Sequence, residues 1–214
     1  MYIFQPDRFL LKKQVIEASH YIRGDVLDVG AGGNDRYSNH FKCSNYTKMD
    51  VAEGPNVDVV GSAENIPFSD NNFDSVVCTQ VFEHLARPHL CAKEIYRVLR
   101  AGGHDLVTVP QMNELHEEPY DFYRYTKFGL NQLFSDAGFT VVECKQRGGF
   151  FSTISQMVIR YFIDLLHLYK KPMLGRIFNQ FAKVIGIGSI WLDSFDKSIA
   201  NHKHAIGWCV VLKK

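Results

Sequence analysis

The stretch Asp25-Val26-Leu27-Asp28-Val29-Gly30-Ala31-Gly32-Gly33-Asn34 decides the fold. Val26, Leu27 and Val29 make the short apolar run of a strand covered on both faces. Gly30, Gly32 and Gly33 follow at once. Glycine there permits positive φ and lets a ligand lie directly on the main chain. The reading is a strand, a glycine turn and then a helix, whose first N–H groups face an anion or polar group. Asp28 raises this above a plain corner between elements, because a carboxylate at an apolar strand end is costly without a partner.

Two ligand readings compete for the loop. A nicotinamide or flavin dinucleotide wants Gly-x-Gly-x-x-Gly. Here the third position is Asp35, a negative charge where the pyrophosphate would lie. The loop resembles motif I of the class I S-adenosylmethionine-dependent methyltransferases, in which an acid and then Gly-x-Gly-x-Gly cradle the amino-acid part of the cofactor. The resemblance implies S-adenosyl-L-methionine as cofactor. It places Asp28 near the cofactor's ammonium group, and Gly30, Ala31, Gly32 and Gly33 beneath its methionine and ribose. Asn34 stands where the family has its last glycine.

Further along, Asn45–Asp50 reads as a second strand ending in an acid, 22 positions beyond Asp28 and 17 beyond Gly33. An acid there is where nucleoside-binding α/β folds accept a ribose diol, and a carboxylate offers two oxygens to two hydroxyls. Val57–Gly61 is a third short strand. Ser62-Ala63-Glu64 precedes Ile66-Pro67-Phe68, where the family has acid-Ala-acid and then an apolar residue, Pro and Phe. By resemblance Ser62, Ala63 and Glu64 meet the adenine, and Val51, Thr79 and Gln80 also line the cofactor. Phe73–Thr79 is the fourth strand. The Glu83-His84-Leu85 that follows its carboxyl end is a recurrent family pattern, and open α/β sheets place ligands there. His84 is the candidate catalytic base or acceptor contact, weighed against a purely structural histidine.

The remaining elements repeat the family's layout. A helix over Phe9–Ile22 precedes the glycine strand. A helix over Pro88–Leu99 is closed by Arg100-Ala101-Gly102-Gly103, and His104–Pro110 is the fifth strand. The loop Gln111–Tyr125 crowds ionisable and aromatic groups, with His116, Tyr120, Arg124 and Tyr125 as candidate acceptor contacts. The competing reading has the tyrosines as lid packing and Arg124 paired with a nearby acid. Thr126 caps a helix over Lys127–Ala137, and Phe139–Cys144 is the sixth strand.

Residues 147–205 read as a helical lobe inserted before a final strand, Ala205–Leu212, which in the family lies antiparallel. Ile154, Met157, Val158, Tyr161, Phe162, Leu165 and Leu168, then Leu174, Ile177, Phe178, Phe181 and Ile185, follow helical spacing, with Arg160, Arg176 and Lys183 on the polar sides. The lobe is read first as a cover for the acceptor pocket or a homodimer face, and second as a peripheral membrane contact.

The expected architecture is therefore α/β: a Rossmann-like, seven-stranded methyltransferase sheet, mostly parallel with its last strand antiparallel and helices on both faces. It forms one domain over 1–214, with the helical lobe at 147–205. Residues 145–214 carry 11 Lys and Arg against 3 Asp, whereas the first 144 carry 13 against 20 Asp and Glu. That basic end suits solvated surface or an anionic partner. No apolar run is long enough to span a bilayer, and Met1–Asp7 lacks the pattern of a signal peptide. Five scattered cysteines without a Cys-x-x-Cys pair suggest reduced thiols, a cytoplasmic protein and no metal site.

The chemistry implied by the resemblance is in-line methyl transfer to a small-molecule or glycan acceptor, which needs a base only where the acceptor must lose a proton. A non-catalytic S-adenosylmethionine-binding protein and, further off, a nicotinamide-dependent oxidoreductase are the alternatives. Nucleic acid is disfavoured as a partner, because Thr79-Gln80-Val81-Phe82 lacks an Asn-Pro-Pro-(Tyr/Phe) clamp.

Overall fold

A computed structural model of the chain describes residues 2–33 and 35–214, so the expectation for Asn34 lies outside the described residues. Seven strands form one sheet in the order β3-β2-β1-β4-β5-β7-β6. They are β1 (Arg23–Val29), β2 (Lys42–Asp50), β3 (Val59–Val60), β4 (Phe73–Thr79), β5 (Leu99–Pro110), β6 (Thr140–Arg147) and β7 (Gly207–Lys213). The β1–β2, β1–β4, β2–β3 and β4–β5 pairs are parallel. Strand β7 runs the other way: Lys214 at its end bonds Gly102 and Gly103 near the start of β5, while Ile206 at its start bonds Gln111 beyond the end of β5. The helices are α1 (Pro6–Ala18), α2 (Pro88–Val98), α3 (Lys127–Asp136), α4 (Phe150–Leu165), α5 (Pro172–Phe195) and α6 (Ile199–His202).

The glycines meet one expectation in reduced form and fail another. The short helix expected over Tyr37–Phe41 is a single 3-10 turn, Ser38–His40, that leads straight into β2. The Asp35 carboxylate accepts from both the Ser38 amide (3.1 Å) and hydroxyl (2.6 Å), a side-chain cap on that turn. At the other site, Gly102-Gly103 does not stop a helix. Helix α2 ends at Val98 and β5 begins at Leu99, with Gly102 at φ +80 inside a register irregularity of the strand.

The chain divides into two units. One comprises Gln14–Pro110, His116–Lys145 and Trp208–Lys214. Its core is the inner faces of the strands, with Val26, Leu27, Val76, Val77, Leu106 and Val107 fully buried. Phe82 meets Phe134 of α3 edge-on at 5.3 Å, and Thr126 caps α3 by accepting from the Gly129 amide.

The other unit joins the N-terminal stretch through Lys13 to Gln111–Leu115 and Gln146–Gly207. Its small core is Ile3, Ile159, Ile163, Leu168 and Ala182. Arg147 and Asp7 form a buried ion pair at 2.7 Å. The Asp193 carboxylate accepts from the backbone N–H groups of Gly149, Phe151 and Ser152, capping the start of α4 from the far end of α5. No helix among the described residues is long and apolar enough to cross a membrane.

The lobe's apolar spacing turns out to mark its outer side. Helix α4 buries Ser152, Thr153, Ser155, Gln156, Ile159 and Ile163, while Ile154, Met157, Val158, Tyr161, Phe162 and Leu165 are exposed. Helix α5 buries Gly175, Ala182, Gly186 and Ser189 and exposes Leu174, Ile177, Phe181 and Ile185. The two helices meet through small and polar groups. The Ser155 and Ser189 hydroxyls are 2.7 Å apart, and a Cβ on Gly186 would come within 2.5 Å of Phe4.

Candidate active site

The carboxyl ends of β1, β2 and β4 bring the sequence candidates together. At the end of β1, Gly30 and Gly32 have φ of +74 and +63, the left-handed backbone that favours glycine. Gly30 is also small by necessity, since a Cβ there would strike Val81 in the segment after β4 at 2.3 Å. At Gly32 and Gly33 a Cβ would meet nothing within 4 Å, so that part of the loop is bare main chain facing open space.

The loop's N–H groups do not face outward as expected. Gly30 and Ala31 donate to the Met49 carbonyl (2.9 and 3.1 Å), and Gly32 donates to Asp50 Oδ2 (2.9 Å). Asp50 Oδ1 accepts from Ala52 (3.1 Å), so this one carboxylate fixes both the glycine loop and the end of β2. Val51 beside it is 75% exposed. Asp35 lies 3.2 Å from Lys48, which answers its charge.

Asp28 has the partner its position demands. The Tyr46 hydroxyl donates to its Oδ2 at 2.8 Å. Burial pushes the Asp28 carboxyl up to about 6, with the Tyr46 hydrogen bond holding it back. Sequence reasoning missed Tyr46. Register would have found it: Asp28 sits opposite Lys48, and Tyr46, two residues earlier, shares that face of β2.

After β4 the backbone turns sharply. Gln80 has φ +56, rare for a side-chain-bearing residue, and is held by its amide to the Thr108 carbonyl (2.8 Å) and its Nε2 to the Thr108 hydroxyl (3.2 Å). Thr79 is paired with Thr108 across β4 and β5. Ser62 forms a turn that accepts the Glu64 amide at 3.2 Å, with Ala63 between them. Both Glu64 oxygens are engaged by Arg87, so Glu64 serves that ion pair whatever else it touches.

His84 closes a 3-10 turn, Phe82–His84. Its Nδ1 lies 2.8 Å from the Tyr120 carbonyl, which can only accept. Nδ1 therefore carries the proton, and Nε2 is the acceptor of the neutral ring. The His116 ring packs edge-on at 4.9 Å. Buried Glu83, His84 and His116 each present a ligand atom, and these lie within 4.8 Å of one another, a mixed set that suits a divalent cation. No metal cluster was expected; the 31 residues between His84 and His116 hide this grouping in the sequence.

The aromatic loop is bolted to the same segment. Phe122 and Tyr123 amides donate to the Glu83 carbonyl, and the Tyr125 hydroxyl donates to the Phe82 carbonyl at 2.9 Å. Tyr125 is buried, and Trp208 Nε1 donates to its carbonyl. Arg124 forks onto Asp121 (2.6 and 2.7 Å), which also accepts the His116 amide. The Arg124 hydrogen bonds hold the Asp121 carboxyl down to about 2. Arg124 thus shapes the loop through an acid that sequence reasoning did not single out. Tyr120 is 66% exposed.

Residues 27–107 match the family model described as a methyltransferase domain. A ubiquinone/menaquinone biosynthesis C-methyltransferase from Roseobacter denitrificans is 29% identical over 121 residues, 47% of this chain and 48% of the relative. A fatty-acid O-methyltransferase from Mycolicibacterium smegmatis is 33% identical over 98 residues, 39% of this chain and 36% of the relative. The chain thus matches about half or less of each curated relative's length. Among solved structures, a Haemonchus contortus phosphoethanolamine N-methyltransferase in complex with S-adenosyl-L-methionine shares the fold, with a TM-score of 0.59, 16% identity, and coverage of 98% of this chain and 56% of that one. The match to a methyltransferase domain thus covers residues 27–107, and the seven-stranded sheet shares its fold with solved methyltransferase structures.

Proposed function

We propose that this chain is a methyltransferase that uses S-adenosyl-L-methionine to methylate a small-molecule or glycan-type acceptor. The observation that carries the reading is the Asp50 carboxylate locked onto Gly32 beside bare main chain at Gly32 and Gly33. This is a floor for an uncharged sugar and thioether, with no cluster of outward N–H groups for a pyrophosphate. Asp28 answers the cofactor's ammonium, and Gly30 to Gly33 underlie its methionine and ribose. Asp50 and Val51 meet the ribose, Ser62, Ala63 and Glu64 border the adenine, and Thr79 and Gln80 close the far wall.

When bound, the cofactor supplies a sulfonium methyl open to in-line attack. The protein's part is to hold the acceptor in line, keep water out and, where the acceptor is acidic, take its proton on His84 Nε2. His116 and Tyr120 meet the acceptor, with Arg124 holding their loop in shape. The relatives' named reactions, C-methylation in quinone biosynthesis and O-methylation of a fatty acid, support a small acceptor. The five cysteines are free, which suits action in the reducing cytoplasm.

Calorimetry tests the cofactor. S-adenosylhomocysteine binds the wild type and NAD gives no heat, while Asp50→Ala weakens binding roughly 10- to 100-fold, as expected for a lost charged hydrogen-bond acceptor. Tight NAD binding with no response to the sulfur nucleoside overturns the reading. Transfer of labelled methyl groups into a metabolite extract separates an enzyme from a protein that only binds the cofactor.

A further inference from the structure

The helix pair α4–α5 is built inside out. A helix pair bathed in water puts its large apolar side chains between the helices and its polar ones outside. Here Ile159, Ile163 and Ala182 pack in a small core, but the rest of the buried side is Ser152, Ser155, Gln156, Gly186 and Ser189, and many bulky groups point away. Val184 is 74% exposed, Phe181 63%, Trp191 59% and Phe195 66%. Small residues and hydroxyls between helices, with large apolar side chains outside, is the packing of helices whose solvent is lipid. Both helices carry such exposed residues, and large apolar groups gathered on a surface mark an interaction site.

Charge selects the partner. From Leu165 to Leu192 there are four cations, Lys170, Lys171, Arg176 and Lys183, and no Asp or Glu. Arg176 and Lys183 stand one heptad apart, on the flank of α5 between the buried Gly175–Ala182–Gly186 stripe and the apolar sector of Ile177, Phe181, Val184 and Trp191. Cations on that flank reach headgroup phosphates while their stems lie along the acyl boundary. The acids of α4 and α5 are Asp164, 3.6 Å from Arg160, and Asp193, which caps α4, so a second copy offers these four cations little. Since no described helix can cross a bilayer, the pair lies within one leaflet.

We propose that the α4–α5 hairpin is a monotopic anchor that docks this protein on an anionic membrane, its outer apolar face in the acyl boundary and Lys170, Lys171, Arg176 and Lys183 on lipid phosphates. The anchor stands independently of the cofactor reading.

Flotation of the full chain tests it, with vesicles of phosphatidylcholine and phosphatidylglycerol in equal parts against phosphatidylcholine alone. The protein rises with the anionic vesicles, and added salt weakens this. Trp191 emission shifts to the blue, a change that Trp191→Phe abolishes, since Trp208 is already buried. The Arg176→Ala, Lys183→Ala double variant partitions about 30-fold more weakly, from about 1 kcal/mol per cation. A Phe181→Ser, Val184→Ser variant loses partition while keeping its melting temperature, which shows that the face serves lipid and not the fold. Protein left at the bottom of both gradients, or equal partition into neutral and anionic vesicles, overturns the proposal. So does sedimentation as a dimer that the Phe181→Ser, Val184→Ser variant dissolves without any vesicle binding.

Discussion

The sheet unit and the helical unit follow opposite rules of burial. In the sheet unit Val26, Leu27, Val76 and Phe134 are fully buried, as water demands. In the helical unit a small core of Ile159, Ile163 and Ala182 shares the buried side of the long helices with serines and glycines, while most of their other large apolar groups lie outside. The units differ also in the polar groups they hide. The sheet unit fully buries the carboxyls of Glu83 and Asp105, whereas the buried carboxyl of the helical unit, Asp7, is paired with Arg147, and α4 and α5 bury hydroxyls and an amide. An amphipathic period alone thus does not reveal which side of a helix is covered.

The sharpest break of this comparison is a matched truncation. Phe134→Ala in the sheet unit costs about 3–5 kcal/mol in denaturant unfolding. Phe181→Ala on the outer face of α5 changes it by less than about 0.5 kcal/mol in the absence of lipid. A loss at Phe181 as large as that at Phe134 would mean that the two units share one rule.

Asp105 comes next. Burial beneath β5 pushes its carboxyl well above the usual carboxylate range. The folded chain holds this proton while the unfolded chain releases it above about pH 4, so stability falls as pH rises from there. Asp105→Asn should raise stability at pH 7 by roughly 1–3 kcal/mol and have little effect near pH 4, as read from melts at both values.

Asp28 tests the same burial at the site. Its carboxyl titrates at about 6, neutral below and charged above. Affinity for the ammonium-bearing S-adenosylhomocysteine should climb as pH passes that value, by roughly fivefold over the one unit below it. Asp28→Asn should flatten the profile; a wild-type affinity independent of pH would separate Asp28 from the ligand. The smallest effect is in the helical unit, where Ser155→Ala removes the bond to Ser189 and should cost about 1 kcal/mol.

Legibility in the sequence followed the range of the interactions. Strand β4 and helix α3 with its Thr126 cap are written in local patterns of apolar residues and turn formers, and the structure has them where those patterns put them. The glycine loop was legible as a left-handed turn, and the short helix after it is reduced to a 3-10 turn that Asp35 caps through Ser38. Tyr46 on Asp28, Asp121 under Arg124, and the meeting of Glu83 and His84 with His116 depend on pairings across strands and loops. In the lobe the helical period of Ile154 to Leu165 was plain, yet the sign of its face was lost, since periodicity is the same for a helix in water and one in lipid.

The Asp193 carboxylate has a mechanical consequence. Three amides at the first turn of α4 hang on one side chain near the last turn of α5, so the pair is clasped at that end. Prying it apart would strand three donors at once. The hairpin can therefore change its surroundings as a stiff paddle, carrying its greasy side intact from one medium to another without first coming undone.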